Sequence, residues 1–338
     1  MNSLDHSCFN RQIHHIYIEE AVLQHPRTVR ILEHFPQAGI IPIRHYKDIF
    51  NRSRQDITLQ QQARALIIAA RSGSLIYPGA PVCQDFGEEH FYYSSCMMNC
   101  VYDCEYCYLK GMYPSAYPVI FVNLEDYFRE TENLLEKHPV YLCISYDTDL
   151  LAAEGLTGYV REWAAFAQTH PDLTIEVRTK SAHKQIWENL PALPGVIYAF
   201  TISPQPVIER YEHGTPDLES RLESAAAAMR CGHPVRLCFD PILYLPDWQT
   251  HYRDMASQVK QQIDFKKLRD ISIGSFRISQ DYLKKMRRAM PASPVVQFPF
   301  VNENGYYSYG KTLSGEMENY VIGLFSGDIP ANRIFQWR

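Results

Sequence analysis

Cys100, Cys104 and Cys107 stand in CVYDCEYC, a C-x3-C-x2-C spacing, and carry the chemistry most directly written in this chain. Three thiolates on one loop can hold three irons of a [4Fe-4S] cluster, whose full complement of protein ligands is four cysteines. The fourth iron then keeps an open position, which is what lets a metal site bind a small molecule instead of only stapling a fold. A zinc site built from Cys96, Cys100, Cys104 and Cys107 is the alternative. Closed tetrathiolate sites draw their ligands from two separated pairs, whereas these four crowd into residues 96 to 107. The cluster is therefore the favoured reading, with Cys96 as its neighbour and not a ligand.

Composition bounds what surrounds such a site. A chain of 338 residues makes one large domain or two modest ones, and 46% apolar with 21% charged residues reads as globular. Nine cysteines is an odd count, and their crowding suits metal ligation better than a disulfide framework. No apolar run approaches the roughly 20 residues of a membrane span. The start, MNSLDHSCFNRQIHH, lacks a charged stretch followed by an apolar one. A cytosolic protein without a membrane partner is expected. The net charge of −5 limits any nucleic-acid contact to a local patch. His14, His15, His183, His213 and His251 are scattered without a metal-binding spacing, and no glycine-rich nucleotide loop is present. Cys231 and Cys238 sit in apolar surroundings and read as packing residues.

Elements able to hold the loop lie on either side of it. Up to about residue 90, Ile13 to Ile18 is a short apolar stretch, and Val29, Ile31, Leu32 and Phe35 recur at helical spacing. A second helix is expected from Gln60 to Ala70, stopping near Gly73. Pro78, Gly79, Pro81 and Gly87 mark a loop just before the cysteines. From about residue 91, short apolar runs alternate with helical patterns, as the βα units of a parallel sheet do. Strands are expected at 117–124, 140–146, 173–179, 196–203, 235–243 and 271–276, with helices between, such as 218–232. Six such strands suggest an α/β partial barrel that works on the loops after its strand C-terminal ends. Residues 1–90 then form an N-terminal extension packed on the barrel of 91–338.

The cysteine spacing ahead of a parallel βα series resembles the radical S-adenosylmethionine superfamily, in which the cofactor's amino and carboxylate groups take the open iron. CEYCYLKG, FVNLEDYF, VRTK, FTIS and YEHGTPDLESRL further resemble the spore photoproduct lyase family, from about residue 13 to residue 311. The resemblance implies a partial (βα)6 TIM-like barrel of radical S-adenosylmethionine type with an N-terminal α/β extension. It implies a [4Fe-4S] cluster and S-adenosylmethionine as cofactors, and a carbon-carbon lyase that splits spore photoproduct, 5-thyminyl-5,6-dihydrothymine, into two thymines. It also implies double-stranded DNA as substrate, an electron donor such as flavodoxin or ferredoxin, a monomer, and the cytoplasm of a spore core. In the family's chemistry the reduced cluster cleaves S-adenosylmethionine to a 5′-deoxyadenosyl radical, which takes a hydrogen from C6 of the dihydrothymine half. The methylene bridge fragments, a thiol returns a hydrogen atom to the thymine radical, and tyrosines relay the thiyl back to the cofactor.

Carried over by position, Cys100, Cys104 and Cys107 match the family's cluster ligands. Tyr106 and Tyr108 match two tyrosines assigned to radical return, Tyr106 also bordering the cofactor, and Lys180 falls on a lysine near S-adenosylmethionine. Two cofactor-contacting serines are replaced by Thr148 and Thr201, which keep the hydroxyl.

Two positions depart from the family. Its hydrogen-donor cysteine sits three residues before the aspartate of YDTDLLAAEGLTG, and Tyr146 occupies that place. Cys143 is near in sequence, but strand alternation over about 10 Å is expected to send it to the other face. Cys83, in the loop before the cluster, is the preferred donor, with Cys143 and Cys96 as alternatives and small buried apolar packing as its other reading. Tyr146 itself either joins the radical relay or fills the pocket. An arginine that the family uses near the lesion is replaced by Tyr306 in NGYYSYGKTL. Tyr306, Tyr307 and Tyr309 either stack on an extruded base, worth about 1 to 3 kcal/mol, or belong to the core. Lys311 matches a family lysine and is a candidate for phosphate. A lesion within a duplex must be extruded to expose its C6 hydrogen. Lys284, Lys285, Arg287 and Arg288 in YLKKMRRAM offer a basic patch for DNA phosphates, or simply a solvated helix face.

Overall fold

Strand Val196–Thr201 reads VIYAFT with every residue buried, the pattern of a parallel strand covered on both faces. It lies in the middle of an eight-stranded sheet whose order is Ile334–Gln336, Asp270–Ser275, Val235–Ile242, Val196–Thr201, Leu173–Thr179, Val140–Cys143, Phe91–Ser94 and Ile76–Pro78. Every pairing in it is parallel except that of Ile76–Pro78, an antiparallel edge. Helices Tyr159–Gln168, Leu218–Arg230, Trp248–Gln262 and Lys311–Phe325 connect successive strands. The two end strands do not pair, so the barrel is partial. This computed structural model describes residues 13–80 and 83–336; Pro81 and the opening stretch read for a leader lie outside the described residues.

A second sheet of five strands runs Gly39–Ile43, His15–Glu19, Leu66–Ala69, Val119–Phe121 and Met97–Met98. Two expectations are corrected here. The run from Gln60 to Ala70 is not one helix: Ile57–Gln62 is helical, and Leu66–Ala69 is a fully buried central strand. A short apolar run has no period that separates a buried strand from a buried helix. The strand expected at 117–124 exists as Val119–Phe121, but it pairs with Leu66–Ala69 in this second sheet. The barrel strand that precedes the cysteines is Phe91–Ser94 instead. Residues of both sheets belong to one continuous apolar core. No helix among the described residues is long and apolar enough to cross a membrane.

The N-terminal ends of the barrel strands are closed by ions, not by aliphatic side chains. Arg236 donates to Glu176, to Asp270 and, at 2.9 Å, to the Tyr141 hydroxyl, with its guanidinium 3.4 Å from the ring centre of Phe86. Arg236, Glu176 and Asp270 are almost wholly buried, so each charge needs its partners. Chemistry is left to the opposite rim.

Candidate active site

The cysteine loop begins at Asn99, whose left-handed backbone (φ 63°) turns the chain out of Met97–Met98. Asparagine tolerates that conformation, and its Nδ2 fixes the turn by donating to the carbonyls of Ser115 (2.7 Å) and Tyr117 (2.9 Å). Asp103–Cys104 then pairs antiparallel with Glu212–His213. Glu212 is wholly buried and accepts from Tyr106, Arg221 and, at 2.7 Å, Ser203. Burial opposes its ionisation, but Arg221 and Lys180 outweigh that and hold the carboxyl at about 2. The loop leads into helix Leu109–Met112, where a side chain at Gly111 would come within 2.5 Å of the Tyr282 carbonyl oxygen. Only glycine lets helix Gln280–Ala289 approach so closely.

Cys100, Cys104 and Cys107 are electrostatic neighbours of one another, and Lys180 faces Cys104 and Cys107. Burial pushes the Cys104 thiol up to about 12, with Lys180 working against it. Cys96 lies elsewhere, wholly buried beside Trp163. The tetrathiolate zinc arrangement therefore lacks its fourth ligand. Among the described residues, no three His, Cys, Asp or Glu side chains converge tightly enough to enclose a single ion. Three grouped thiols on one loop match in number the three protein-held irons of a [4Fe-4S] cluster with one open position. Thr148, beyond the end of strand Val140–Cys143, adds a second sign of fit: its hydroxyl is buried and has no hydrogen-bond partner. A buried polar atom left open in this way calls for a ligand or water. Thr201 ends strand Val196–Thr201, its carbonyl accepting from Arg221 Nη1 at 3.2 Å. The Lys180 ammonium lies 5.6 Å from the ring centre of Tyr106.

The sequence-predicted donor and relay residues divide into two groups. Cys83 Sγ is 3.3 Å from the Tyr146 hydroxyl, and the Tyr146 ring lies 5.9 Å from that of Tyr108. Tyr108 donates its hydroxyl to the Tyr146 carbonyl at 2.6 Å. These three form one contiguous set, whereas Tyr106 is bound to Glu212 in the anchor of the loop. Burial and then Cys83 push the Tyr146 hydroxyl well up, so the phenol keeps its proton.

Cys143 requires a correction. It is registered with Tyr93 and with Glu176, and Tyr146 stacks on Tyr93 at 4.1 Å. Registered neighbours point to the same side, so Cys143 shares the inner face with Tyr146. Regular strand ends at Cys143, and alternation cannot be counted beyond it. The thiol is nonetheless buried, deeper than Cys83.

Several site residues were not foreseen. Asp147 is buried and accepts from Ser95, from Tyr113 at 2.7 Å and from Tyr108 at 3.5 Å. Asp149 accepts from the Lys180 backbone at 2.6 Å and the Thr179 hydroxyl at 2.8 Å, tying two barrel loops together. Burial raises both carboxyls against these bonds. Their position just beyond a strand C-terminal end in YDTD was the available signal.

The proposed DNA residues lie on the outer rim. Tyr306 is 41% exposed on a hairpin formed by Val301–Glu303 and Tyr306–Ser308. Tyr307 lies under Arg287, whose guanidinium is 5.7 Å from its ring centre. Tyr309 is a core residue, buried among Phe298 and Phe300. Arg287 is committed to the carbonyls of Val296 and Phe298, while Lys284, Lys285 and Arg288 are exposed on helix Gln280–Ala289. Lys311 opens helix Lys311–Phe325 at the surface.

The sequence profile described as spore photoproduct lyase matches residues 12–315. The spore photoproduct lyase of Clostridium acetobutylicum is 24% identical over 224 residues, which cover 63% of this chain and 65% of that one. That of Bacillus subtilis is 23% identical over 309 residues, covering 88% and 86%. A spore photoproduct lyase mutant solved with AdoMet and dinucleoside spore photoproduct bound superposes with a TM-score of 0.81 at 17% identity, over 96% of this chain and 98% of that one. A second structure, complexed with dinucleoside spore photoproduct, gives 0.79 over the same shares. The fold is thus that of these enzymes, and the profile spans most of the sequence: the chain belongs to the spore photoproduct lyase family.

Proposed function

We propose that this protein repairs ultraviolet-damaged DNA by cleaving spore photoproduct to two thymines. The observation that carries the reading is the grouping of three loop thiols with Lys180 near a rim where Cys83 meets Tyr146. Cys100, Cys104 and Cys107 would hold a [4Fe-4S] cluster, and Thr148, Thr201 and Lys180 would line the S-adenosylmethionine site, with Tyr106 behind it. Together these groups supply, when bound, a carbon-centred radical able to take hydrogen from the lesion.

The chain's own residues do the rest. Cys83, partly exposed, delivers a hydrogen atom to the thymine radical, because its S–H bond is weak and it stands beside the Tyr146 phenol. Tyr146 then restores Cys83 by giving up its phenolic hydrogen atom. Tyr108, bound to the Tyr146 carbonyl and to Asp147, carries the radical toward the cysteine loop. The buried carboxylate beside Tyr108 gives its phenolic proton somewhere to go. Double-stranded DNA would rest its phosphates on Lys284, Arg288 and Lys311, with Tyr306 and Tyr307 against the extruded bases. A flavodoxin or ferredoxin would supply electrons to a monomer in the cytoplasm of the spore core.

Anaerobically reconstituted protein given S-adenosylmethionine, a reductant and dinucleoside spore photoproduct should release thymidylyl thymidine. Cleavage of S-adenosylmethionine without that product would favour a radical enzyme with another substrate, the reading that Tyr306 in place of an arginine supports. Zinc binding without cofactor cleavage would leave a metal-stapled nucleic-acid binding protein.

A further inference from the structure

Tyr146 has two tyrosine neighbours, and they lead to different parts of the molecule. Tyr108, 5.9 Å away between ring centres, leads to the cysteine loop. Tyr93 is stacked on Tyr146 at 4.1 Å, and Tyr77 is stacked on Tyr93 at 5.4 Å with their planes 24° apart. Strand pairing sets this ladder, because Tyr77 is registered with Tyr93 and Tyr93 with Cys143. At its far end the Tyr77 hydroxyl donates to the carbonyl of Ser74, in an exposed turn, and accepts from Arg71 Nη2 at 3.1 Å. Tyr93 and Tyr77 are both half-buried. The stack therefore runs from the Cys83 thiol to the surface, and the donor and relay roles above use neither Tyr93 nor Tyr77.

A phenol adds to the stacking power of a phenyl ring an O–H bond that can be oxidised. Resting on the repair reading, we infer that Tyr93 and Tyr77 form a discharge branch, which carries a radical stalled on Tyr146 to the surface, where a low-molecular-weight thiol quenches it. The Cys83 thiyl takes a hydrogen atom from Tyr146 and becomes a thiol again. Tyr146 regains one electron and one proton from Tyr93, and Tyr93 regains them from Tyr77. Each transfer breaks one phenolic O–H bond and makes another, so the steps between tyrosines are nearly balanced in energy. The Tyr77 phenoxyl takes a hydrogen atom from the external thiol, and two of the resulting thiyls couple to a disulfide. That last step draws the radical outward. When return through Tyr108 is fast the branch stays idle, and when it fails the branch spares Cys83 from irreversible oxidation.

The test places 3-aminotyrosine at position 77 of the full chain; this analogue oxidises more readily than tyrosine and holds any radical that reaches it. Reconstituted protein that also carries Tyr108→Phe, so that return through Tyr108 fails, is given S-adenosylmethionine, a reductant and dinucleoside spore photoproduct without added thiol, then frozen for electron paramagnetic resonance. An aminotyrosyl signal is expected, falling at least tenfold when Tyr93→Phe, which keeps the ring and the stack, is added. An undiminished signal in that background overturns the branch. So does a silent position 77 when the same analogue at position 146 traps the radical. Silence at both positions together with no thymine product overturns the repair reading itself, and the branch with it.

Discussion

The Cys83 thiol lies 3.3 Å from the hydroxyl of Tyr146, just beyond the end of strand Val140–Cys143. On the repair reading the donor sulfur comes from the loop between strands Ile76–Pro78 and Phe91–Ser94, which brings Cys83 to the rim. Tyr146 touches the thiol on one side and Tyr108 on the other, the placement that a relay between them requires. The proposed donor and relay are contiguous without any rearrangement of the strands.

The separation of Cys96 from the other three sulfurs predicts how iron binding responds to substitution. Cys100→Ala, Cys104→Ala and Cys107→Ala should each reduce anaerobically reconstituted iron and sulfide well below the about four of each that a complete cluster contains. Cys96→Ala should retain the full content, at a stability cost of about 1 kcal/mol for the small cavity beside Trp163. Equal loss of iron in Cys96→Ala and Cys100→Ala would return the tetrathiolate.

Glu154 gives the fold a pH dependence of its own. It accepts from the backbone amides of Val160 (2.7 Å) and Arg161 (3.1 Å), yet burial prevails and raises the carboxyl from 4.5 to about 7. Between those values the folded protein binds more protons than the unfolded chain, so stability falls as pH rises. The contribution is complete below about 4.5 and lost as pH passes through about 7, a loss of about 3 kcal/mol. Urea titrations of Glu154→Gln should show a flatter stability profile across this window, and greater stability than the parent at about pH 8. A profile parallel to the parent's would assign the slope to other groups.

On the outer rim, exposed charge and exposed aromatic surface act separably. Replacing Lys284 and Arg288 together by Ala should lower the slope of log affinity for duplex DNA against log salt by about 2, roughly one for each phosphate no longer neutralised. Tyr306→Ala should instead weaken lesion-containing DNA about tenfold, as removing one base stack does, and leave the salt slope unchanged. Binding curves at several salt concentrations distinguish the two. An unchanged slope in the charge variant would make helix Gln280–Ala289 a solvated face.

The parts of the molecule legible in the sequence were those with a local signature. Strand Leu173–Thr179 has the bounds its apolar run suggests, and the cysteine spacing named its own chemistry. Leu66–Ala69 and Val119–Phe121 misled because sheet membership is a long-range property: each is a buried apolar run, and only their pairing reveals the second sheet. Asp147 and Glu212 were missed for a related reason. Their partners Ser95, Tyr113, Tyr106 and Arg221 converge from distant segments, and a single carboxylate in a sequence carries no mark of burial. The parity argument for Cys143 failed where the strand itself ended.

The most direct test is the isotopic content of the repaired base. The methyl group formed from the methylene bridge gains one hydrogen from the donor, and a thiol hydrogen exchanges freely with solvent. With dinucleoside spore photoproduct in D2O, the parent protein should therefore release thymine carrying one deuterium in that methyl group, and Cys83→Ala should divert product to abnormal adducts with little such thymine. Failure of the parent to release thymine, or Cys83→Ala forming the singly deuterated product as readily as the parent, would contradict the account.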